Sequence, residues 1–369
     1  MDWFYMPVKV MFEDNVIIKN KELFSKYGKR CLIVTGRSSA KKSGVLSDVL
    51  CAFEELNIES FVFDEVMENP TFEIIQLAQD RYKDKQIDFV LGIGGGSPLD
   101  ASKMIGVLLK NVESKSRDLL VDDTLTSIPI LVVPTTSGTG SETTPYSIIT
   151  DHQTQSKINC KPKIFPEIAF IDVKYYMSMP INVIKSTGVD ALCHLVEGYL
   201  VKNSNIYSDQ LAVAGLNFFA KAMEDLKKGN FTKEMHVRLI HASTIAGMVI
   251  SHAGTGIPHG MGYYLTYHQN TYHGKATALF LASMLELDLQ KNKRLNKKAQ
   301  KVLDILGLDS SSELREFIQS VVGREQITTE QLETYSQDFF LNKRKLAAHD
   351  FEITITDIKN AFKESLDVL

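Results

Sequence analysis

The sequence predicts an α/β N-terminal domain followed by an all-α C-terminal domain. Two observations carry most of this. Short apolar runs closed by glycine or proline alternate with helix-period segments through the first half of the chain, the pattern of βαβ units and a sheet that is parallel at least in part. Beyond about Pro180 strand signals nearly vanish and long segments of helical spacing take over. The length of 369 residues suits two domains, or at most three.

In chain order, Arg30–Gly36 (RCLIVTG) reads as a strand stopped by glycine, Ser47–Leu56 as an amphipathic helix and Glu59–Phe63 as a strand. Thr71–Lys83 reads as helix, Ile87–Ile93 as strand, Ser97–Leu109 as helix, and Ile128–Val133 and Ile168–Ile171 as strands. The second half offers Gly188–Leu200, Ser208–Lys227, Thr232–Ile250, Leu295–Leu306, Ser311–Val322, Thr329–Phe340 and Ile355–Asp367 as helices. The break near Tyr175–Ile184 places the boundary between a first domain of residues 1–178 and a second of residues 179–369.

Composition narrows the function. Lys and Arg number 41 against 45 Asp and Glu, a net charge of −4, and 44% of residues are hydrophobic. Such a chain folds around large cores and lacks the concentrated positive charge of a general nucleic-acid binder. The lysines of Lys291–Lys301 read as a solvated helix face. The uncharged run Thr124–Ser141 holds Pro129, Pro134 and many hydroxyls, so it is a poor membrane span. Four scattered cysteines (Cys31, Cys51, Cys160, Cys193) form no Cys-x-x-Cys pair, and the N-terminal residues form no signal peptide. Free thiols in the cytoplasm are the expectation.

Two loops follow predicted strands. In IDFVLGIGGGSPLDASK, Gly94, Gly95 and Gly96 allow close backbone approach, with Ser97 as helix N-cap, Pro98 at the first helical position and Asp100 at the third. The free N–H groups and helix dipole suit an anion, most plausibly a pyrophosphate. The spacing is neither G-x-G-x-x-G nor a Walker A loop, and a sharp structural turn is the competing reading. In PTTSGTGSE, Thr135, Thr136, Ser137 and Thr139 stand beside Gly138 and Gly140 at a strand's C-terminal end, where ligands bind in open α/β sheets. A flexible polar turn would look the same, but two such loops on one sheet favour a ligand.

The helical half carries a different chemistry. Asp190 and His194 stand four apart in GVDALCHLVEG, on one helix face. His259 and His273, each followed by glycine, lie in IPHGMGYYLTYHQNTYHGKA. Leu239–Gly274 has no Asp, Glu, Lys or Arg, yet holds five of the nine histidines. Uncharged sequence implies burial, and a buried imidazole needs a partner. One carboxylate and three imidazoles can hold a divalent first-row metal. Any single one of these histidines reads as a hydrogen-bonded core residue before it reads as a ligand, and His241, His252 and His268 are taken that way, with a supporting role behind a ligand, or as a proton carrier, open to one of them.

Together, GGGSPLD, PTTSGTGSE with TPYSIITD, and VDALCHLVEG with PHG and YHG resemble the iron-dependent (group III) alcohol dehydrogenases, near their butanol dehydrogenases. The resemblance spans roughly residues 5–280. It implies a dehydroquinate synthase-like architecture, with an α/β dinucleotide-binding domain, a helical metal-binding and substrate domain, and the active site in the cleft between them. It implies an NAD(P)-dependent dehydrogenase or reductase of small alcohols and aldehydes, with Fe²⁺ (Zn²⁺ or another divalent ion in some members) on Asp190, His194, His259 and His273. Gly94, Gly95, Gly96, Ser97 and Asp100 match the pyrophosphate loop, Thr135, Thr136 and Thr144 the hydroxyl contacts, and Lys157 a nucleotide-contacting lysine. A homodimer or larger oligomer is expected.

Two departures are informative. Where some NAD-preferring relatives carry an acid after the first strand, Gly36 stands in this chain, with Arg37, Ser38, Ser39, Lys41 and Lys42. Without the carboxylate a 2′-phosphate is not repelled, and the cations and hydroxyls can bind one, so NADP preference is predicted. Relatives also often carry a histidine four residues after His259. Tyr263 stands there, and Tyr263, His268 or solvent would have to replace it as a proton relay. Tyr146, Phe165, Met248, Tyr264 and Tyr267 suggest an apolar pocket. The rival readings are a glycerol-dehydrogenase-like polyol enzyme, often zinc-dependent, and a non-catalytic NADP- or metal-binding protein.

Overall fold

The computed structural model describes residues 2–369. Eight strands lie in the N-terminal part: β1 (Lys9–Phe12), β2 (Arg30–Thr35), β3 (Glu59–Phe63), β4 (Phe89–Gly94), β5 (Ile130–Pro134), β6 (Ile148–Asp151), β7 (Ser156–Asn159) and β8 (Ile168–Ile171). Six form one sheet of order β1-β8-β5-β4-β2-β3, with every pair parallel. The inner strands β4, β5 and β8 are buried throughout, and β2 at all but its first residue. Continuous Val, Ile and Leu runs are what a sheet covered on both faces requires. The edge strands β1 and β3 are half exposed.

Helices Val45–Leu56, Phe72–Tyr82 and Gly96–Lys110 separate β2, β3, β4 and β5. β2 leads outward to β3, whereas β4 leads to β5 on its other side, so the strand order reverses between β2 and β4. Ligands of open α/β sheets bind at such a point, beyond the strands' C-terminal ends. Register brings Thr35 beside Ile93 and Gly94 beside Pro134. The segments that follow, Gly36–Ser39, Gly95–Ser97 and Thr135–Thr136, therefore leave one edge of the sheet side by side.

Two features of this unit escape the sequence reading. β1 is half exposed and only four residues long, too short for its pattern to stand out although three of the four are apolar. β6 and β7 form an antiparallel hairpin in which β7 (Ser-Lys-Ile-Asn) is polar. Its turn is held by Asp151, which accepts from Gln153 N at 3.1 Å and Thr154 Oγ1 at 3.0 Å.

The remaining unit is helical. It comprises Pro180–Leu369, together with residues 2–5 and Ser137–Thr139, which the sequence reading places in the first domain. These short pieces join it through long-range contacts that no local signal announces: Tyr5 N donates to His252 Nε2 at 3.0 Å, and Gly138 lies against Thr187. Its central helix, Ile181–Leu200, is buried from Gly188 to Leu200 and packs against Ile206–Lys228, Lys233–Ala253 and His273–Ala278. Side-chain caps from Asn205 and Thr232 start two of these neighbours. The central helix begins seven residues before the predicted Gly188, at Ile181, because Pro180 at its N-terminal boundary is compatible with a helix start. A two-stranded parallel pair, Gln326–Ile327 with Asp367–Val368, is the one departure from all-α in this unit among the described residues. No helix among the described residues is long and apolar enough to cross a membrane.

Candidate active site

Asp190 and His194 project from the most buried stretch of Ile181–Leu200, one turn apart. His259 sits in the first turn of helix Ile257–Gln269, which ends at Asn270 in the left-handed conformation. The chain then turns back, and His273 opens helix His273–Ala278. Asp190, His194 and His259 are buried, and His273 is half-buried. The ligand atoms of Asp190, His259 and His273 all lie within 4.8 Å of one another. His194 is not one of those three but adjoins them, with its Nε2 at 2.8 Å from His259 Nε2.

That nitrogen–nitrogen contact is the most telling distance in the molecule. His194 Nδ1 faces the Gly138 carbonyl at 3.2 Å, and His259 Nδ1 faces Glu197 Oε1 at 2.5 Å. The Gly138 carbonyl can only accept, so His194 Nδ1 donates and its Nε2 is a lone pair; with Glu197 ionised, His259 Nδ1 donates to it and His259 Nε2 is a lone pair as well. Two lone pairs facing each other call for a cation between them. Asp190 Oδ1, at 3.7 Å from His259 Nε2, is buried without a hydrogen-bond partner among the described residues. A metal ion satisfies both conditions at once, so the donor set fits one.

Glu197 is the functional candidate the sequence reading missed. It lies three residues after His194 and seven after Asp190, on the same helix face, and that spacing was its one available signal. It is buried, and burial pushes its carboxyl up to about 7 against the pull of Lys345 and His194.

The cofactor candidates lie in the α/β unit. Gly94 takes φ +143°, and a Cβ there would meet Pro98 Cγ at 2.8 Å. Gly95, not Ser97, is the N-cap, and the helix starts at Gly96, so Pro98 falls in the third helical position. The two loops pack closely there: a Cβ on Gly95 would lie 3.0 Å from Thr136 Oγ1, so a side chain would need Thr136 to shift slightly. Ser97 Oγ instead accepts from Asn69 N at 3.2 Å. Thr135 N donates to the Gly94 carbonyl at 2.9 Å. Thr144 is buried in the same segment, and Lys157 stands opposite Thr150 in the hairpin. Gly36 is half-buried and Arg37, Ser38 and Ser39 are exposed. Lys41 pairs with Asp64 at 2.8 Å, and the charge of Arg37 also acts on Asp64.

Asp100 is turned inward. Its two oxygens accept from Ser141 Oγ at 2.6 Å and Ile148 N at 2.9 Å. Lys103, fully buried, donates to Ser141 O (2.9 Å), Ser141 Oγ (2.9 Å) and Tyr146 O (2.8 Å), and lies 3.6 Å from Asp100. Burial pushes the Asp100 carboxyl up and the Lys103 ammonium down, and each charge opposes the other's shift. The pair ties the glycine-loop helix to the chain following PTTSGTG. Lys103→Met should destabilise the protein by about 1–3 kcal/mol, because it leaves the buried Ser141 and Tyr146 carbonyls without their donor and Asp100 without its counter-charge; urea unfolding would read this, and no measurable loss would refute the tie.

The iron-containing alcohol dehydrogenase family model matches residues 7–173, and the C-terminal model of the Fe-containing family matches residues 184–329. This chain belongs to the iron-containing alcohol dehydrogenase family. Lactaldehyde reductase of Escherichia coli K12 is 32% identical over 260 residues, covering 69% of this chain and 67% of that protein. NADPH-dependent butanol dehydrogenase of Clostridium saccharobutylicum is 28% identical over 285 residues, covering 76% and 73%. The crystal structure of an iron-containing alcohol dehydrogenase from Thermotoga maritima superposes with a TM-score of 0.91 at 37% identity, covering 99% of each chain. The chain is thus an oxidoreductase, an alcohol dehydrogenase of a family that uses iron and NAD(P)H.

The other histidines of this alcohol dehydrogenase have separate partners. His252 donates from Nδ1 to Met248 O at 2.7 Å, and its Nε2 accepts from Tyr5 N. His241 packs on Phe218. His268 is exposed and stacks on Tyr335, with ring centroids 5.5 Å apart. Tyr263, in contrast, lies beside His273 at 5.7 Å between centroids. Of the suggested pocket residues, Tyr264 stacks on Tyr335 at 5.0 Å, while Tyr146 lies under Lys163 in the α/β unit.

Proposed function

We propose that this alcohol dehydrogenase interconverts small alcohols and aldehydes with NADP(H) in preference to NAD(H), using one divalent ion, Fe²⁺ in the first instance, on Asp190, His194, His259 and His273. The observation that carries the metal assignment is the pair of facing Nε2 lone pairs beside an unpartnered Asp190 oxygen. When bound, the metal supplies a Lewis acid for the substrate oxygen and the dinucleotide supplies or accepts hydride. Asp190 contributes the one negative charge of the ligand set. Gly138 O and Glu197 keep two imidazoles in the tautomer that presents Nε2. Tyr263 is the proton-bearing side chain next to His273; exposed His268 is engaged with Tyr335.

The nucleotide would lie over the ends of β2, β4 and β5. Gly94–Ser97 would take the pyrophosphate, with Thr135, Thr136, Thr144 and Lys157 as further contacts and Gly36–Ser39 at the ribose. The preference for NADP rests on the missing acid at Gly36 and on Arg37 and Lys42 beside it. The clostridial relative is an NADPH-dependent butanol dehydrogenase, which supports that preference. A cytoplasmic homodimer is the working form.

The test is anaerobic reconstitution with Fe²⁺ or Zn²⁺, followed by assay of short-chain aldehydes with NADPH and NADH. Gly36→Asp should shift the kcat/KM ratio toward NADH by about tenfold or more, about 1.4 kcal/mol. An unchanged or larger NADPH preference would count against the assignment. A Cβ at this position meets Val66 O at 3.2 Å, so a small local shift accompanies the new charge.

A further inference from the structure

Glu197 makes more contacts with the metal-site scaffold than any capping role requires. Oε1 accepts from His259 Nδ1, and Oε2 accepts from Gly256 N at 2.8 Å and His259 N at 3.4 Å. One carboxylate thus grips a metal-ligand imidazole, the same residue's backbone and the residue preceding its helix. It reaches them from the helix that carries Asp190 and His194.

The surroundings of Glu197 are built to hold it. Lys345, half-buried and donating to Thr255 Oγ1 at 2.8 Å, places a cation near it. Behind it, Asp288 and His349 form a buried pair at 3.3 Å. His349 Nε2 has no hydrogen-bond partner among the described residues and would meet a Cβ on Gly256 at 3.1 Å. Glu197, Asp288 and His349 line a cavity of about 10 Å³, room for one water at most. The rest of that cavity is apolar (Val196, Leu200, Leu281, Leu285), so it offers the Glu197 carboxylate few partners to replace those it has.

We propose that Glu197 is a positioning residue of the metal centre: it locks the His259 ring and tautomer so that Nε2 faces the ion, and it couples the start of the His259 helix to the helix bearing Asp190 and His194. This rests on the metal-site reading above. Carboxylates hydrogen-bonded to ligand imidazoles contribute about 10–100-fold in metal affinity.

The experiment measures Co²⁺ and Zn²⁺ affinity of the metal-free full chain by chelator competition, and the Co²⁺ visible spectrum. It compares wild type, Asp190→Asn, Glu197→Gln and Glu197→Ala, with unfolding midpoints recorded alongside. Gln is the near-isosteric variant and guards against an Ala chain that fails to fold. Expected in Glu197→Gln are a dissociation constant weakened by about 10–100-fold and an altered Co²⁺ spectrum, together with loss of the His259 imidazole N–H proton resonance in metal-free protein. A folded Glu197→Gln with wild-type affinity and spectrum, even at a lowered midpoint, would reduce Glu197 to a helix cap and overturn the proposal. If wild type and Asp190→Asn alike bind neither ion, the metal-site reading fails and this inference falls with it. If wild type binds and Asp190→Asn does not, the reading stands and Glu197 is judged on its own variants.

Discussion

Replacing Asp190 by asparagine is expected to strip the enzyme of its metal and lower kcat/KM by about a thousandfold or more. The reasoning starts from charge. Asp190 is the only anion among four proposed ligands, and its Oδ1 is buried without a hydrogen-bond partner among the described residues. A Lewis acid at the reacting oxygen is worth several kcal/mol of transition-state stabilisation, and each step of about 1.36 kcal/mol is tenfold in rate. Elemental analysis per chain and steady-state assay would check both parts. The effect on stability should run the other way in the absence of metal. There a buried carboxylate oxygen lies unpaired near two imidazole lone pairs, so metal-free Asp190→Asn should be no less stable than metal-free wild type. An Asn variant that keeps full metal content and activity would remove Asp190 from the ligand set.

Gly274→Ala should be the most disruptive methyl group in the molecule. A Cβ at Gly274 would sit 2.0 Å from Ser186 O and 2.8 Å from both Ser186 C and Asp190 Cβ. Two of these are backbone atoms of the central helix, which cannot rotate out of the way. The variant must push helix His273–Ala278 off Ile181–Leu200, and so carry His273 away from Asp190. Overpacking of this kind costs about 1–3 kcal/mol and sometimes more. The expected result is a lowered unfolding midpoint together with weakened metal binding. Native values for both would show that the two helices have slack that the distances deny.

Much of this was legible because the chemistry is local. Apolar runs such as Ile168–Ile171 mark buried strands by composition alone, and β8 has the same bounds in the structure. Ser311–Val322 and Thr329–Phe340 likewise follow from capping residues and helical period. Asp190 and His194 share a helix face by spacing, and the histidines at 259 and 273 stood out as polar groups in a stretch without charge. Where propensity was weak or a neighbour mattered, the reading slipped. Ser97 is a better N-cap than glycine in isolation, yet the helix starts two residues earlier with Gly95 as N-cap, and Ser97 Oγ accepts from Asn69 N of another loop instead.

The sequence by itself determined the fold class, the strand ends that carry the loops and the candidate ligand residues, because period, glycine placement and residue type are written along the chain. The tertiary structure alone decided that Asp100 turns inward to Ser141, that Gly138 and residues 2–5 join the helical unit, and that Glu197 backs His259. These depend on which groups meet across tens to hundreds of residues. A carboxylate reads the same in sequence whether it faces solvent, a lysine or an imidazole; its role is set by what stands opposite once the chain has closed.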